Sequence, residues 1–238
     1  MRERRRAETL REITAAARAQ LAAVGPAALS LRAVAREVGM TVQSLYHYFD
    51  SRDALLDTLI ADAHHALADA VAAAAEGSLG RPPAERRRVT TEAYRAWALG
   101  HGSEFLLLYG TPVPDFAPLP EGRTGEAAIR LAAPFLEVVF AGWTPEELAA
   151  LPLAPGAEDI AGVDAPQVPL PPGALAFFLE LRARMHGLVV LELLGHLKPL
   201  QEHAAALFAG AMHHMSTEID ARHTAAAATV AGQSRCDR

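Results

Sequence analysis

Residues 30–49 read SLRAVAREVGMTVQSLYHYF, and the glycine at their middle limits what the segment can fold into. Leu31, Val34, Ala35 and Val38 fall at i, i+3, i+4 and i+7, so a short helix buries that face and turns Arg32, Arg36 and Glu37 outward. Ser30 is placed to cap this helix, Gly39 stands where it needs a left-handed stop, and Thr41 can cap a second helix starting at Val42. The pattern predicts two helices joined by a short turn, with Leu45 and Phe49 anchoring the second. That second helix carries hydroxyl, amide and imidazole groups, which suit a reader of DNA.

Nearly everything else in the chain has helical period. A first helix is expected over 5–24, with Leu10, Ile13, Ala17, Leu21 and Val24 as its buried stripe and Gly25-Pro26 as its stop. Asp50 or Ser51 caps a fourth helix over about 52–75, which links two domains, and residues 76–83 (EGSLGRPP) are a break. Helices follow over 84–101 and 105–109. The prolines at 112, 114, 118 and 120 then forbid regular structure. A helix over 125–140 contains Pro134 as a kink, and Thr144, Pro145 and Glu147 read as the capped start of a short helix. Six prolines among residues 152–172 predict a poorly ordered excursion. Two long helices, 173–197 and 199–222, complete the body, and the tail from Thr224 is expected to fray. With no alternating apolar pattern for strands, the fold class is all-α. Residues 1–60 form a helix-turn-helix DNA-binding domain, 61–223 a second helical domain, and 224–238 a disordered tail.

Composition adds bounds. A hydrophobic share of 51% over 238 residues is ample for a buried core. The net charge of −6 argues against a nucleic-acid partner until its distribution is read. Residues 1–60 hold nine Arg against seven Asp or Glu, so the surplus of acid lies wholly in the remainder. Arg2, Arg4, Arg5 and Arg6 concentrate positive charge as an arm that could lie along phosphates. A single cysteine, Cys236, excludes an intramolecular disulfide framework, and neither a signal-like apolar leader nor an apolar run of about 18 residues occurs. A cytoplasmic protein with no membrane association is expected.

Around the reader helix the chain resembles the N-terminal domain of TetR-family transcriptional regulators. The resemblance rests on Gly39-Met40-Thr41, then Leu45-Tyr46-His47-Tyr48-Phe49, then Arg52. Tyr48 stands where the family usually has histidine, and Arg52 where it usually has lysine. A helix laid in the major groove presents its N-terminal residues to base edges. Gln43 is the foremost base reader, because its amide can pair bidentately with adenine, while Thr41, Val42 and Ser44 suit thymine methyls or phosphate oxygens. Arg32, Tyr46, His47, Tyr48 and Arg52 complete the DNA-binding set, the last four as phosphate anchors.

Farther along, Arg184-Met185-His186-Gly187-Leu188-Val189 and Gly195-His196-Leu197 resemble the TetR subgroup named for a Trp-His-Gly motif, with Arg182 at the position of its tryptophan. The resemblance implies a ligand-binding and dimerisation domain whose last two long helices pair with their copies as a four-helix bundle. Two stripes suit that pairing: Phe178, Leu181, Met185, Val189, Leu193 and His196 on one helix, and Leu207, Ala211, His214 and Met215 on the other. Tyr94, Trp97, Phe105, Tyr109, Phe135, Trp143, Phe177 and His186 are candidates to line a small-molecule pocket, although aromatic residues at helical spacing also build cores. The ten histidines include no helical i, i+4 pair, so no metal site is expected, and no cofactor. No nucleophile elbow, phosphate-cradling glycine loop or HExxH is present, so no enzyme is expected.

The reading is a homodimeric regulator that binds a palindromic operator in double-stranded DNA, a repressor released by a small hydrophobic effector. Two alternatives stay open: a helical ligand-binding or enzymatic protein whose helix-turn-helix is structural, and a regulator that senses no ligand.

Overall fold

The computed structural model describes residues 1–110, 123–162 and 169–236. Among these residues ten α-helices run in chain order: α1 (Arg2–Val24), α2 (Leu31–Val38), α3 (Val42–Tyr46), α4 (Arg52–Gly77), α5 (Pro83–Gly100), α6 (Gly102–Tyr109), α7 (Arg123–Val139), α8 (Pro145–Ala149), α9 (Pro172–Leu193) and α10 (Ala204–Cys236). Short 3-10 turns lie at Pro26–Ala28, Glu158–Gly162 and Lys198–His203. There is no strand among the described residues, so the all-α expectation holds. No helix among them is long and apolar enough to cross a membrane.

The chain divides into two compact units, one of residues 1–68 with 100–130, the other of residues 69–99 with 131–238. The first unit therefore reaches past residue 60 and takes back α6, whose Leu107 joins the same core. That core gathers Ile13, Ala17 and Leu21 of α1, Leu31, Val34 and Ala35 of α2, Leu45 of α3, Phe49, and Leu55, Leu56, Leu59 and Ile60 of α4. Val24, expected to close the stripe of α1, is exposed instead, because the helix ends there and Gly25 donates its N–H to the Leu21 carbonyl. Arg18 of α1 pairs with Asp62 of α4 at 2.8 Å.

In the second unit α9 and α10 pack on each other and on α8. Burying Phe177, Phe178, Leu181, Met185 and Val189 of α9, and Phe208, Met212, Met215 and Ile219 of α10, builds its interior. Charged cross-links brace the same elements. Arg87 of α5 donates to Ser216 and Asp220 of α10, and Arg95 of α5 pairs with Glu192 of α9 through two nitrogens while lying over the Phe208 ring.

Three expectations are corrected here. The tail from Thr224 does not fray: α10 continues to Cys236. Its alanines have the highest helix propensity, and Ala226 is buried where α10 meets α8. The α9 stripe expected at a dimer interface is spent inside the chain, since Phe178, Leu181, Met185 and Val189 are buried, as is Met215 of α10. The proline-rich excursion is regular in part, with its 3-10 turn Glu158–Gly162 packed on α9. Residues 163–168, and the four prolines expected to forbid structure over 112–120, lie outside the described residues.

Candidate nucleic-acid interface

Two local devices fix α3. Gly39 takes φ 74°, ψ 27°, the left-handed conformation that only glycine adopts without strain, and its N–H reaches the Ala35 and Arg36 carbonyls while that of Met40 reaches Ala35. Thr41 then caps α3: its Oγ1 accepts the Ser44 N–H at 3.1 Å, and the two hydroxyls lie 2.8 Å apart. Leu45, fully buried, and Phe49 pin the helix to the core. With those two pointing in, Thr41, Gln43, Tyr46 and His47 point out, all exposed, while Val42 and Ser44 are half-buried. Arg32 is exposed on α2.

Ser30 does not cap α2 through its side chain; its own N–H is taken by the Gln20 side-chain oxygen at 2.9 Å. Of the two capping candidates for α4, Ser51 accepts the Ala54 N–H at 3.0 Å.

Arg52 is engaged within the unit. Its Nε donates to the Leu29 carbonyl at 3.0 Å, and one terminal nitrogen to the Pro26 and Ala27 carbonyls at 2.7 and 3.2 Å. The guanidinium thus ties the first turn of α4 to the turn between α1 and α2. The arginine arm is also not an extended strand: α1 begins at Arg2, and Arg4, Arg5 and Arg6 lie exposed on its first two turns. Tyr48, half-buried against the core, has the Arg6 guanidinium 5.2 Å from its ring centroid. Sequence reading missed that pairing because 42 positions separate the partners.

The candidate ligand-pocket residues fall in both units. Phe105 and Tyr109 lie in the first unit, their rings 5.0 Å apart, with His64 edge-on to Tyr109. In the second unit Tyr94, Phe135 and His186 meet: Tyr94 Oη lies 2.8 Å from His186 Nδ1, and its ring meets Phe135 edge-on at 5.7 Å. Desolvation, helped by the neighbouring Arg182 charge, holds the His186 pKa below the ordinary histidine value. Trp97 is buried, Trp143 stacks on His223 at 4.5 Å, and Phe177 lies under Arg222. A groove of about 560 Å³ in the unit is lined by none of these eight; the segment after α8 and α10 bound it, with Leu151, Pro152, Ala221, Arg222, Ala225 and Thr229 among its residues. Among the described residues no group of three or more His, Cys, Asp or Glu could hold a metal ion.

Comparison with known proteins gives this geometry its setting. Residues 13–59, from the middle of α1 into α4, match the family model for bacterial regulatory proteins of the tetR family. Residues 88–215 match the model for a tetracyclin repressor-like C-terminal domain. HTH-type transcriptional regulators of Mycobacterium tuberculosis (strain ATCC 25618 / H37Rv) and Mycobacterium bovis (strain ATCC BAA-935 / AF2122/97) are 38% identical over 125 residues, 52% of this chain and 53% of theirs. The chain thus spans about half the length of the curated relatives it matches. A solved structure described as a regulatory protein is 31% identical, with a TM-score of 0.75 over 90% of this chain and 98% of its own. A tetR-family transcription regulator from Shewanella sp. PV-4 shares the fold at 16% identity, with a TM-score of 0.56 over 87% of this chain and 94% of its own. The capped helix pair of the first unit and the helical second unit each fall under a tetR-type domain, and the chain belongs to the TetR family of bacterial regulatory proteins.

Proposed function

We propose that this chain is a DNA-binding transcriptional regulator that works as a homodimer on a palindromic operator, reading bases with α3. One observation carries the reading: α3 is capped and pinned so that Gln43, Tyr46 and His47 stand exposed together, with Arg32 on the neighbouring helix. In the major groove Gln43 reads a base edge, Tyr46, His47 and Arg32 meet phosphates, and Thr41, Val42 and Ser44 approach the backbone and thymine methyls. The Thr41 and Ser44 hydroxyls, bonded to each other, shape the turn before they touch DNA. Arg52 supports this surface from behind.

In this proposal the dimer uses α9 and α10, on the faces that the interior leaves over. Leu179, Ala183 and Leu191 of α9 and Leu194 just past its end are exposed, with Gly187 half-exposed, and Leu207 and His214 of α10 are exposed with Ala211 half-exposed. An apolar stripe on each of two packed helices suits a two-fold four-helix contact. Repression, and release by a small hydrophobic effector, complete the proposal. An effector that favours a spacing of the readers unsuited to adjacent major grooves lowers operator affinity by its coupling factor. The Tyr94–His186 pair beside Phe135 is the polar group on an apolar wall that such a ligand needs.

Selection of bound duplexes from a random pool tests the reading, with a palindrome as the expected product. Gln43→Ala is expected to relax preference at one position per half-site by about 1–3 kcal/mol. Protein that retains no duplex at low salt refutes DNA binding altogether.

A further inference from the structure

The sequence departs from its family at Tyr48, and the structure shows what the replacement contacts. The ring packs one side on the core of the first unit and offers the other to Arg6, whose guanidinium lies 5.2 Å from the ring centroid. Tyr48 lies two residues past the end of α3 and its N–H donates to the Leu45 carbonyl at 2.8 Å, so its position is tied to that of the reader helix. Glu3, Arg5, Arg6, Thr9 and Tyr48 line a notch of about 550 Å³ in which Glu3 is the one carboxylate facing two guanidinium groups. Arg6 makes no hydrogen bond or ion pair among the described residues, and a guanidinium laid on a ring keeps its N–H edges available. Three arginines, Arg4 to Arg6, crowd the N-terminal end of α1, where the helix dipole disfavours cations. An anion facing these guanidinium groups would offset that cost.

We infer that Arg6 is a DNA phosphate contact of the reader unit, and that Tyr48 is its positioning residue, acting through the face of its ring and not through its hydroxyl. The inference rests on the proposed DNA binding and adds to it a mechanical link: the ring at the end of α3 sets where a cation on α1 meets the backbone. Phosphate contacts fix register, so this pair sets how deeply Gln43 sits against its base.

The test uses the full chain on the duplex recovered from the random pool, with affinity measured between about 50 and 200 mM salt, the range over which phosphate contacts show their slope. Arg6→Ala is expected to bind about twentyfold more weakly and to flatten the slope of log affinity against log salt by about 1.8, the share of two phosphate contacts, one from each protomer of the dimer. Tyr48→Phe is expected to match the parent chain. Tyr48→Leu, which keeps an apolar filler over the core, is expected to copy Arg6→Ala, and the double variant to be no weaker than either single one. Melting curves check that Tyr48→Leu folds; Arg6 is exposed, so Arg6→Ala carries the test whether or not it does. An unchanged salt slope in Arg6→Ala overturns the inference, and so does a Tyr48→Phe variant as weak as Tyr48→Leu, which assigns the contact to the hydroxyl. Failure of the parent chain to bind any duplex is a separate result that removes the DNA-binding reading itself.

Discussion

Arg52 opens α4, and its bonds to the carbonyls of Pro26, Ala27 and Leu29 make it a clasp for the turn between α1 and α2. Those carbonyls lie in and just after a short 3-10 turn, where the Pro26 carbonyl also accepts the Leu29 N–H, and the guanidinium supplies further donors to the turn. Hydrogen bonds to a charged group contribute about 1.5–3 kcal/mol, so Arg52→Ala is expected to lower the stability of the first unit by about that much. Arg52→Lys should recover little, because one ammonium cannot span three acceptors in the fork geometry of arginine. Melting of the full chain followed by circular dichroism checks both. If Arg52→Ala melts like the parent yet loses affinity for every duplex alike, the residue works on phosphate instead. Its sequence neighbourhood suggested a phosphate anchor because the resemblance aligns it with a lysine, and nothing in the local pattern names acceptors more than twenty positions away. Gln43 was legible for the opposite reason: capping and burial of its neighbours are settled within a few residues, and they leave its direction no choice.

Elements in this protein are held by two kinds of contact, and only one can be read from sequence. The Gly39 stop, the Thr41 cap and the reciprocal box between Thr144 and Glu147 follow from positions three or four apart, and all three occur. The braces between α5 and its neighbours join residues about a hundred positions apart, so no local pattern announces them. Arg87 shows what such a brace costs. Its side chain is 7% exposed, while that of its partner Asp220 is 59% exposed. Removing the partner therefore strands a buried cation, whereas removing the arginine leaves a carboxylate that water can serve. Asp220→Ala is expected to destabilise the second unit by about 1.5–3 kcal/mol, and Arg87→Met, of similar length and uncharged, to cost clearly less. Chemical denaturation of the two variants side by side checks the order, and the reverse order means that the pair stabilises by charge attraction and not by relieving burial. The same limit of local reading explains the stripe on α9. A helix apolar on two sides offers two candidate faces, and periodicity alone cannot say which one its own chain covers.

At the scale of the whole molecule, the face left uncovered decides how one five-residue reader helix could find a specific sequence. Three or four side chains at base edges specify a few base pairs, so useful discrimination needs two half-sites read together. Leu179 and Leu191 on α9, Leu194 just past its end and Leu207 on α10 are each 41–51% exposed, apolar side chains that a partner surface would cover. Covering that surface with its own copy also holds two readers at one spacing, which turns the second half-site contact into an intramolecular event. Leu191→Glu combined with Leu207→Glu places like charges across such a two-fold contact without touching Phe178, Met185 or Met215 inside the unit. The double variant is expected to keep its helicity, to sediment as a monomer, and to lose about a hundredfold or more in affinity for the palindrome. A single half-site should still be bound as weakly as the parent binds it. Sedimentation velocity together with titration of full and half operators checks this, and a variant that remains dimeric assigns the pairing to a different face of the second unit.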